Sequence, residues 1–416
     1  MMGNIVLDTI SIQGNIVKYN IKVSDKLSRF FNGKEMFIDY GESMNSIPVS
    51  VLTIPFVSVL SNLAWQLNVS LWVDEIDETY FYSLKNLKVA YQEAHYAHPF
   101  RGRFTPSKIV HNSIVQTEQG LLLFGGGVDC HSSFLRNKDK ISEIVNINGW
   151  LHDCKEENQV DQSDSKMAIE FGNRMNIVAT HIRSNFAAFM NLKEIDSVLQ
   201  KKVNVGHWYG FLHSMAFIGI AIPLSYKRGY SDIFIASSNT KGQNNVCASD
   251  ITTDSLHKFC LNGRVIHDGF ELNRQDKIKI IVDYKKSIKQ PYMLHVCSFN
   301  DHNCCECEKC FRTVINLVAE NEDPREYGFP IQESLKEHWL KVMDKRLGLW
   351  GIDLEKRVYW PYTRERMREN YEKLGDEQKE FVDWFLSFDF DKAKRDGLRK
   401  YYRKNFFKIL KRKLHL

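Results

Sequence analysis

The sequence predicts an α/β protein: a parallel sheet covered by helices, preceded by a mixed α/β module and followed by a helical extension. Three observations carry this. From Gln116 to Ala319, short apolar runs such as "GLLLF", "NIVATHI" and "DIFIASS" alternate with stretches of helical spacing, "DSKMAIEFGNRM" and "HWYGFLHSMAFIGIAI". The residues before this region carry hairpin and helix signals of their own, and those after about Asn321 are helical and charged. The expected boundaries are residues 1–115, 116–325 and 326–416.

In the first region, "ISIQGNIVKYNI" alternates apolar and polar residues on both sides of Gly14-Asn15, the pattern of a β-hairpin with a tight turn. "VSVLSNLAWQL" has helical spacing, "VSLWVDEI" reads as a strand and "YFYSLKNLKVAYQEAHY" as a second helix. No catalytic cluster stands out, so a structural or substrate-selecting module is expected. The middle region adds the strand "SEIVNI". Strands separated by helices imply right-handed crossovers, and ligands of such sheets bind beyond the carboxyl ends of the strands. In the last region "TRERMRENYEKLGDEQKEFVDWFLSF" carries acid–base pairs at helical spacing.

Bulk properties are those of a globular protein: 416 residues, 43% hydrophobic and 26% charged. The opening "MMGNIVLDTI" lacks a signal-peptide pattern, and "MAFIGIAIPL" (Met215 to Leu224) falls short of the roughly 20 residues that span a bilayer. A cytoplasmic location is expected, with peripheral attachment to a membrane as a variant. The net charge of +5 is uneven: from Lys392 to Leu416 eleven Lys and Arg against one Asp give +10, which leaves −5 for the rest. Leu398, Tyr402, Phe406 and Leu410 recur every four residues in that tail. Such a helix can dock on the acidic body, lie on anionic lipid or hold nucleic acid through phosphates.

"LLLFGGGVDCHSSF" (Leu121 to Phe134) runs from a buried strand through three glycines into a helix start. Contiguous glycines let backbone amides approach an anion with no Cβ in the way, and the helix presents its positive end. A Walker loop needs Lys-Ser/Thr after its last glycine and a dinucleotide fold needs G-x-G-x-x-G, so neither fits. The order resembles the PP-loop of the N-type ATP pyrophosphatases, a HUP-domain family whose signature is Ser-Gly-Gly-x-Asp-Ser. Gly126, Gly127 and Asp129 match; Gly125 stands where the first serine belongs and Cys130 where the second does. Ser132 and Ser133, one helical step on, can supply the missing hydroxyls. The resemblance implies that Gly125, Gly126, Gly127, Val128, Asp129 and Cys130 hold the β- and γ-phosphates of ATP while the α-phosphorus is attacked. Asp129 is expected to organise Mg²⁺ and phosphate. A tight turn that needs only small residues is the plainer alternative.

Nine cysteines are unevenly spread, with Cys297, Cys304, Cys305, Cys307 and Cys310 falling within fourteen residues. Cys304, Cys307 and Cys310 are spaced C-x-x-C-x-x-C, and with Cys297 upstream they can close a tetrahedral zinc site with no open position. The same spacing occurs in four-iron sites, so an iron–sulfur cluster is the alternative. Cys305 breaks the spacing and is expected to point away; His295 and His302 are spare ligands. A PP-loop followed by a four-cysteine knot resembles the 7-cyano-7-deazaguanine synthases, zinc enzymes of queuosine-precursor synthesis. Their knot reads C-x(n)-C-G-x-C-x-x-C followed by Arg; here Cys305 replaces the glycine and Arg312 follows Cys310. The likeness spans about Leu121 to Leu317, and it implies zinc on Cys297, Cys304, Cys307 and Cys310.

Other polar residues complete the expected site. Arg274 and Lys277 share a helical face in "HDGFELNRQDKI" and can stabilise departing pyrophosphate, with solvated surface charge as the alternative. Ser237, Ser238 and Asn239 end the strand "DIFIA" at the crevice edge, and His152, Asp153, Thr180, His181 and Arg183 follow two other strands. His207 and His213, six apart, do not share a helical face and make no metal pair. The resemblance implies an ATP-dependent adenylylating ligase that activates a carboxylate or carbonyl oxygen for attack by ammonia or another nucleophile. Catalysis falls to Asp129 and Arg274. The alternatives are a nucleotide-binding module without turnover, and a nucleic-acid-modifying protein of a bacterial defence or polysaccharide locus.

Overall fold

The computed structural model describes residues 3–115, 117–149, 157–243, 246–290, 292–297, 300 and 302–405. It has two compact units, Met1–Glu271 and Leu272–Leu416. The first holds one sheet of eleven strands: β1 (Asn4–Gln13), β2 (Ile16–Val23), β3 (Glu35–Asp39), β4 (Ser70–Asp77), β5 (Arg103–Val110), β6 (Gly120–Leu123), β7 (Ile141–Asn148), β8 (Val178–Ser184), β9 (Asp232–Ala236), β10 (Lys258–Phe259) and β11 (Gly263–Asp268). Their order is β10-β11-β9-β6-β7-β8-β3-β2-β1-β4-β5. Strands from both sides of residue 115 therefore share one sheet.

The five neighbours β11, β9, β6, β7 and β8 are mutually parallel, as the strand–helix alternation implies. β6 lies in their middle. The chain runs outward from it through β7 to β8, then returns to its other side for β9 and β11, so the order reverses between β6 and β9. Beyond β8 the pairings of β3, β2 and β1 are antiparallel, with Ile38 and Asp39 of β3 against Ser184 and Arg183, and β4 and β5 then add in parallel to β1. The hairpin of β1 and β2 forms about Gly14, whose φ of 62° suits a tight turn. β3, β5, β10 and β11 left no signal of their own in the sequence. β5 is a largely exposed edge strand containing Pro106, where a missing N–H is tolerated.

Two helices form the centre of this unit. Ile54–Leu67 packs on β4 and β5, Trp208–Arg228 packs on β6 and β9, and the two pack on each other. All residues from Ile54 to Gln66 are buried, which explains a sequence apolar on every face. Trp208–Arg228 opens with a π-helical turn, Trp208–Leu212. At 21 residues it is long and apolar enough to cross a membrane, a reach the ten-residue run Met215 to Leu224 did not suggest, but 78% of its most apolar window is buried within the protein. The opposite face of the parallel strands is covered by helix Glu157–Met175, whose Phe171 stacks on Phe124 at 4.6 Å and meets Phe134 at 5.1 Å.

The second unit is helical, with short 3-10 turns at Pro324–Tyr327, Leu347–Leu349 and Tyr371–Lys373. Phe311, on helix Glu308–Ala319, is its hub: the rings of Trp339, Trp350, Trp360, Trp384, Phe385 and Phe390 lie 4.9 to 6.4 Å away. The basic tail begins as helix Phe390–Lys404 and docks within this unit. Gly397 and Gly348 meet so closely that a Cβ on Gly348 would stand 2.6 Å from the Gly397 carbonyl carbon. Lys394 pairs with Asp353 at 2.9 Å and Lys400 with Asp344 at 2.5 Å. Of the expected stripe, Leu398 is half-buried beside Gly348 and Tyr402 is 56% exposed, while Phe406 and Leu410 lie outside the described residues.

Two predictions follow from the buried centre. A Cβ on Gly219 would sit 2.0 Å from Ser58 Oγ and 2.3 Å from Ser58 Cβ, so rotating the hydroxyl cannot relieve the clash. Gly219→Ala should therefore lower stability by about 1–3 kcal/mol in urea titration, the usual cost of overpacking. Burial also lowers the pKa of His207 and His131 to about 3 and of His257 to about 4. They stay neutral when folded, whereas in the unfolded chain they take up protons near pH 6.5, so folding stability is retained above that pH and falls as it drops. The urea midpoint should decline steadily between pH 6.5 and 4.

Candidate functional site

The glycine loop follows β6, at the strand where the sheet order reverses. Phe124 closes the strand by donating its N–H to Val145 O at 2.8 Å. Gly126 then turns the chain with φ of 73°, a left-handed conformation that favours glycine. Gly127 is the extended N-cap of helix Val128–Asn137. A Cβ on Gly125 or Gly127 would meet no atom within 4 Å, so packing does not demand glycine at either position and the space over the loop is open. An extended strand, a left-handed turn and a helix N-terminus follow one another here, the succession found in anion-binding loops.

The loop is propped from β7 and β8. Asn146 donates from Nδ2 to Phe124 O at 3.1 Å, and its Oδ1 lies 3.0 Å from His181 Nδ1. The amide oxygen can only accept, so His181 carries its proton on Nδ1. Burial lowers the His181 pKa, with Arg183 adding to the effect. Arg136, on the helix after the loop, pairs with Asp268 at the end of β11 and with Glu271. The sequence reading missed Asn146 and Arg136; their partners lie 22 to 135 positions away, beyond any local pattern.

Each expected residue can now be placed. Asp129 is half-buried in the first turn of the helix. Cys130 is buried and its Sγ donates back to Gly127 O at 3.0 Å. Burial pushes its thiol up to about 12, although the nearby amides of Gly125, Gly126 and Gly127 favour the thiolate. Ser132 and Ser133 are buried, and Ser133 Oγ has no hydrogen-bond partner. Ser237 and Asn239 lie just past β9: Ser237 N–H donates to Asp268 O at 2.8 Å and its hydroxyl to Asn239 O at 2.7 Å. The loops after β6 and β9 thus emerge on either side of the reversal, where doubly wound sheets bind ligands. Ser238 beside them is exposed. Thr180 does not end its strand as expected, because β8 continues to Ser184; its hydroxyl bonds Glu143. Arg183 pairs with Asp39 at 2.6 Å. His152 and Asp153 lie outside the described residues.

The second candidate centre belongs to the other unit. Cys297, Cys304, Cys307 and Cys310 bring their sulfurs within 4.8 Å of one another, the only such group of metal-binding side chains among the described residues. Cys304 and Cys310 Sγ are 4.0 Å apart. A tetrahedral ion with metal–sulfur bonds of about 2.3 Å spaces its thiolates by about 3.8 Å, so the four fit one ion. A cubane of four irons needs its thiolates further apart. Backbone N–H groups already aim at sulfur: Glu306 at Cys304, and Cys310 at Cys307, both at 3.4 Å. Cys297 acts to raise the Cys304 thiol, but Cys307 and Cys310 outweigh it and bring it down to about 6. Cys297, Cys304 and Cys307 in turn push Cys310 up. The four can ionise together only around a cation.

Cys305 takes φ of 51°, the left-handed turn that a glycine would adopt more readily, and its Sγ faces Asn303 O at 3.5 Å, away from the cluster. His295 bonds Asn300 O at 3.0 Å and, like His302, is not one of the four ligands. Arg274 begins the helix Arg274–Ile288 after the capping box of Asn273 and Asp276, and reaches Thr313 at 3.3 Å. Lys277, on the same helix, is buried. Arg312 and Arg274 stand near enough to Lys309 to add to the burial that lowers its pKa.

Fold and site define the class: a parallel-rich, Rossmann-like α/β protein with a four-cysteine cluster able to hold a metal such as zinc. No family model matches the chain, and a search of curated proteins returns no match.

The purified protein should carry one thiolate-bound metal ion per chain by mass spectrometry. Cys310→Ser should lose it and lower the melting temperature of the aromatic unit, because Cys307 caps the helix that carries Phe311.

Proposed function

We propose that the protein is an ATP-dependent adenylylating ligase of the PP-loop type. It activates a carboxylate or carbonyl oxygen with release of pyrophosphate, and ammonia or another nucleophile then displaces AMP. One observation carries this reading: a left-handed Gly126, flanked by open space at Gly125 and Gly127, lies directly after the central strand at the reversal of the sheet.

The chain's own groups account for the expected work. Loop amides and the start of helix Val128–Asn137 take the β- and γ-phosphates. Asp129 in the first turn holds Mg²⁺, which supplies charge to the leaving pyrophosphate. Ser237 and Asn239, held by Asp268 and by each other, give the substrate side polar edges. The attacking oxygen approaches the α-phosphorus as the bond to the β-phosphate oxygen breaks, so AMP stays on the substrate. In this reading the four cysteines hold zinc as a structural ion, since four thiolates leave no open position.

A second reading has an observation of its own. Cys130 spends its proton on Gly127 O, and no hydroxyl stands at Gly125, which favours a loop that binds nucleotide without cleaving it.

Calorimetry with Mg·ATP and a pyrophosphate-release assay separate the two. Gly126→Ala should weaken ATP binding about ten-fold, since a left-handed alanine costs about 1–2 kcal/mol. Asp129→Asn should remove the Mg²⁺ dependence. A wild-type protein that binds no ATP at millimolar concentration overturns both readings. Binding without pyrophosphate release from any carboxylate tried, with release gained by Gly125→Ser/Cys130→Ser, selects the second.

A further inference from the structure

Outside the glycine loop, the same carboxyl edge of the sheet carries an ordered thiol–imidazole pair. His213 is the first residue after the π-helical turn Trp208–Leu212, at the N-terminal end of the buried helix. Its Nδ1 lies 3.0 Å from Trp208 O, a group that only accepts, so the proton is on Nδ1 and Nε2 offers a lone pair. That Nε2 faces Cys247 Sγ at 3.8 Å. Cys247 lies in the segment that leaves β9, and both side chains are half-buried rather than sealed in the core. Nucleophile, base and a carbonyl that orients the base are thus in sequence, the arrangement by which weak nucleophiles are activated.

The pair is held in place to an unusual degree. Ala248, next to Cys247, donates its N–H to Tyr209 O at 2.8 Å. Its carbonyl accepts three hydroxyls: Ser214 at 2.6 Å, Tyr91 at 2.9 Å and Thr253 at 3.1 Å. Ser249 is tied to the buried Asp254, which also receives His267 Nδ1 at 2.9 Å. Three donors on one carbonyl exceed what a loop needs to stay folded, and such support is how a reactive side chain is kept within reach of its partner. π-turns within α-helices occur frequently at functional sites. Burial raises the Cys247 thiol above its ordinary value, with Asp254 and Asp250 adding to the effect, while the Ser249 N–H and the Tyr209 hydroxyl oppose it, so the thiol depends on a base to take its proton. Tyr209 itself is 47% exposed.

We propose that Cys247 is a nucleophilic thiol, that His213 is its general base, and that the pair takes the activated acyl group from the adenylate as a thioester. The acyl donor rests on the adenylylating reading above. In the step, Cys247 Sγ–H passes its proton to His213 Nε2 as sulfur bonds to the acyl carbon. The carbon–oxygen bond to the phosphate breaks, and AMP leaves with the electron pair. An amine nucleophile then bonds the same carbon, the carbon–sulfur bond breaks with its electron pair on sulfur, the imidazolium returns its proton to the thiolate, and the imidazole so freed takes the proton that the amine nitrogen sheds. Substrates of this class are carboxylic acids that end as amides.

Two measurements on the full chain test this without requiring ATP cleavage. Iodoacetamide labelling at pH 7.5, resolved by peptide mass spectrometry, should modify Cys247 at least ten times faster than the buried Cys130 and Cys260. His213→Gln should slow Cys247 labelling about 100-fold, the lower end of a positioned base's contribution, and leave the other cysteines unchanged. Equal Cys247 rates in the two proteins overturn the pair. Should His213→Gln fold poorly, Tyr209→Phe serves instead, with a smaller slowing expected and an unchanged rate counting against the proposal. Incubation with synthetic acetyl adenylate should leave one hydroxylamine-sensitive acetyl group, absent from Cys247→Ser; a wild type with no adduct overturns the thioester step. Failure of ATP cleavage alone, with labelling and acetylation as expected, would instead count against the adenylylating reading.

Discussion

The contact between Gly219 and Ser58 is the constraint on which the first unit depends. Because glycine offers no side chain, helices Ile54–Leu67 and Trp208–Arg228 approach closely enough for both to be enclosed by strands of one sheet. Ser58 does not waste its hydroxyl in that tight place: it donates to Ile54 O at 2.8 Å and pairs with the Tyr80 hydroxyl at 2.6 Å. The position of the second helix then decides two other things. It underlies β6 and β9, whose carboxyl ends diverge at the reversal, and its first turns present His213 at the same edge. Packing in the core and chemistry at the rim are set by one element.

The second unit obeys a different logic. Its core is aromatic, gathered around Phe311, and the helix bearing Phe311 starts at the four-cysteine cluster. Cys307 caps that helix by accepting the Cys310 N–H, and Cys310 is itself fully buried one turn in. Two ligands on the first turn mean that an ion at the cluster would fix both the register and the direction of the helix. Folding of the unit and metal binding are then one equilibrium, as in other small domains organised by tetrathiolate ions.

Much of this was legible in the sequence. The parallel strands, the hairpin, the glycine turn and the four clustered cysteines all announce themselves through local patterns: period two, a Gly-Asn pair, three small residues after a strand, C-x-x-C spacing. What stayed hidden depends on pairing at long range. Nothing local says that β3 joins β8, or that β9 returns beside β6, so the reversal of strand order that gives the glycine loop its place could not be read. β11 was hidden because "VIHD" is short and polar at its end. Thr180 was misplaced because β8 extends past the apolar run that marked it. His213 could be excluded from a pair with His207 by spacing alone, but its partner Cys247 is 34 positions away and only the fold brings them together. The tail docks through a Gly–Gly contact and two ion pairs whose partners lie 41 to 56 positions away, which no local pattern announces.

The departures from the PP-loop pattern have a physical cost that differs between the two positions. At Gly125 a hydroxyl is missing but nothing replaces it; the backbone stays open, and an amide can serve an anion as well as a hydroxyl can. At Cys130 the change is deeper. Sulfur is larger than oxygen and a weaker donor, and here its proton is turned onto Gly127 O, inside the loop rather than toward a ligand. The thiol therefore stiffens the turn while contributing little to the site. A phosphate held there would be met by amide dipoles and by the helix end alone, which suffices for binding because these need no reorganisation. Charge on a leaving group must then come from elsewhere: from Mg²⁺ at Asp129, in the reading proposed above. In that reading the loop would keep the part of the chemistry that glycine backbone provides and delegate the part that serine would have supplied.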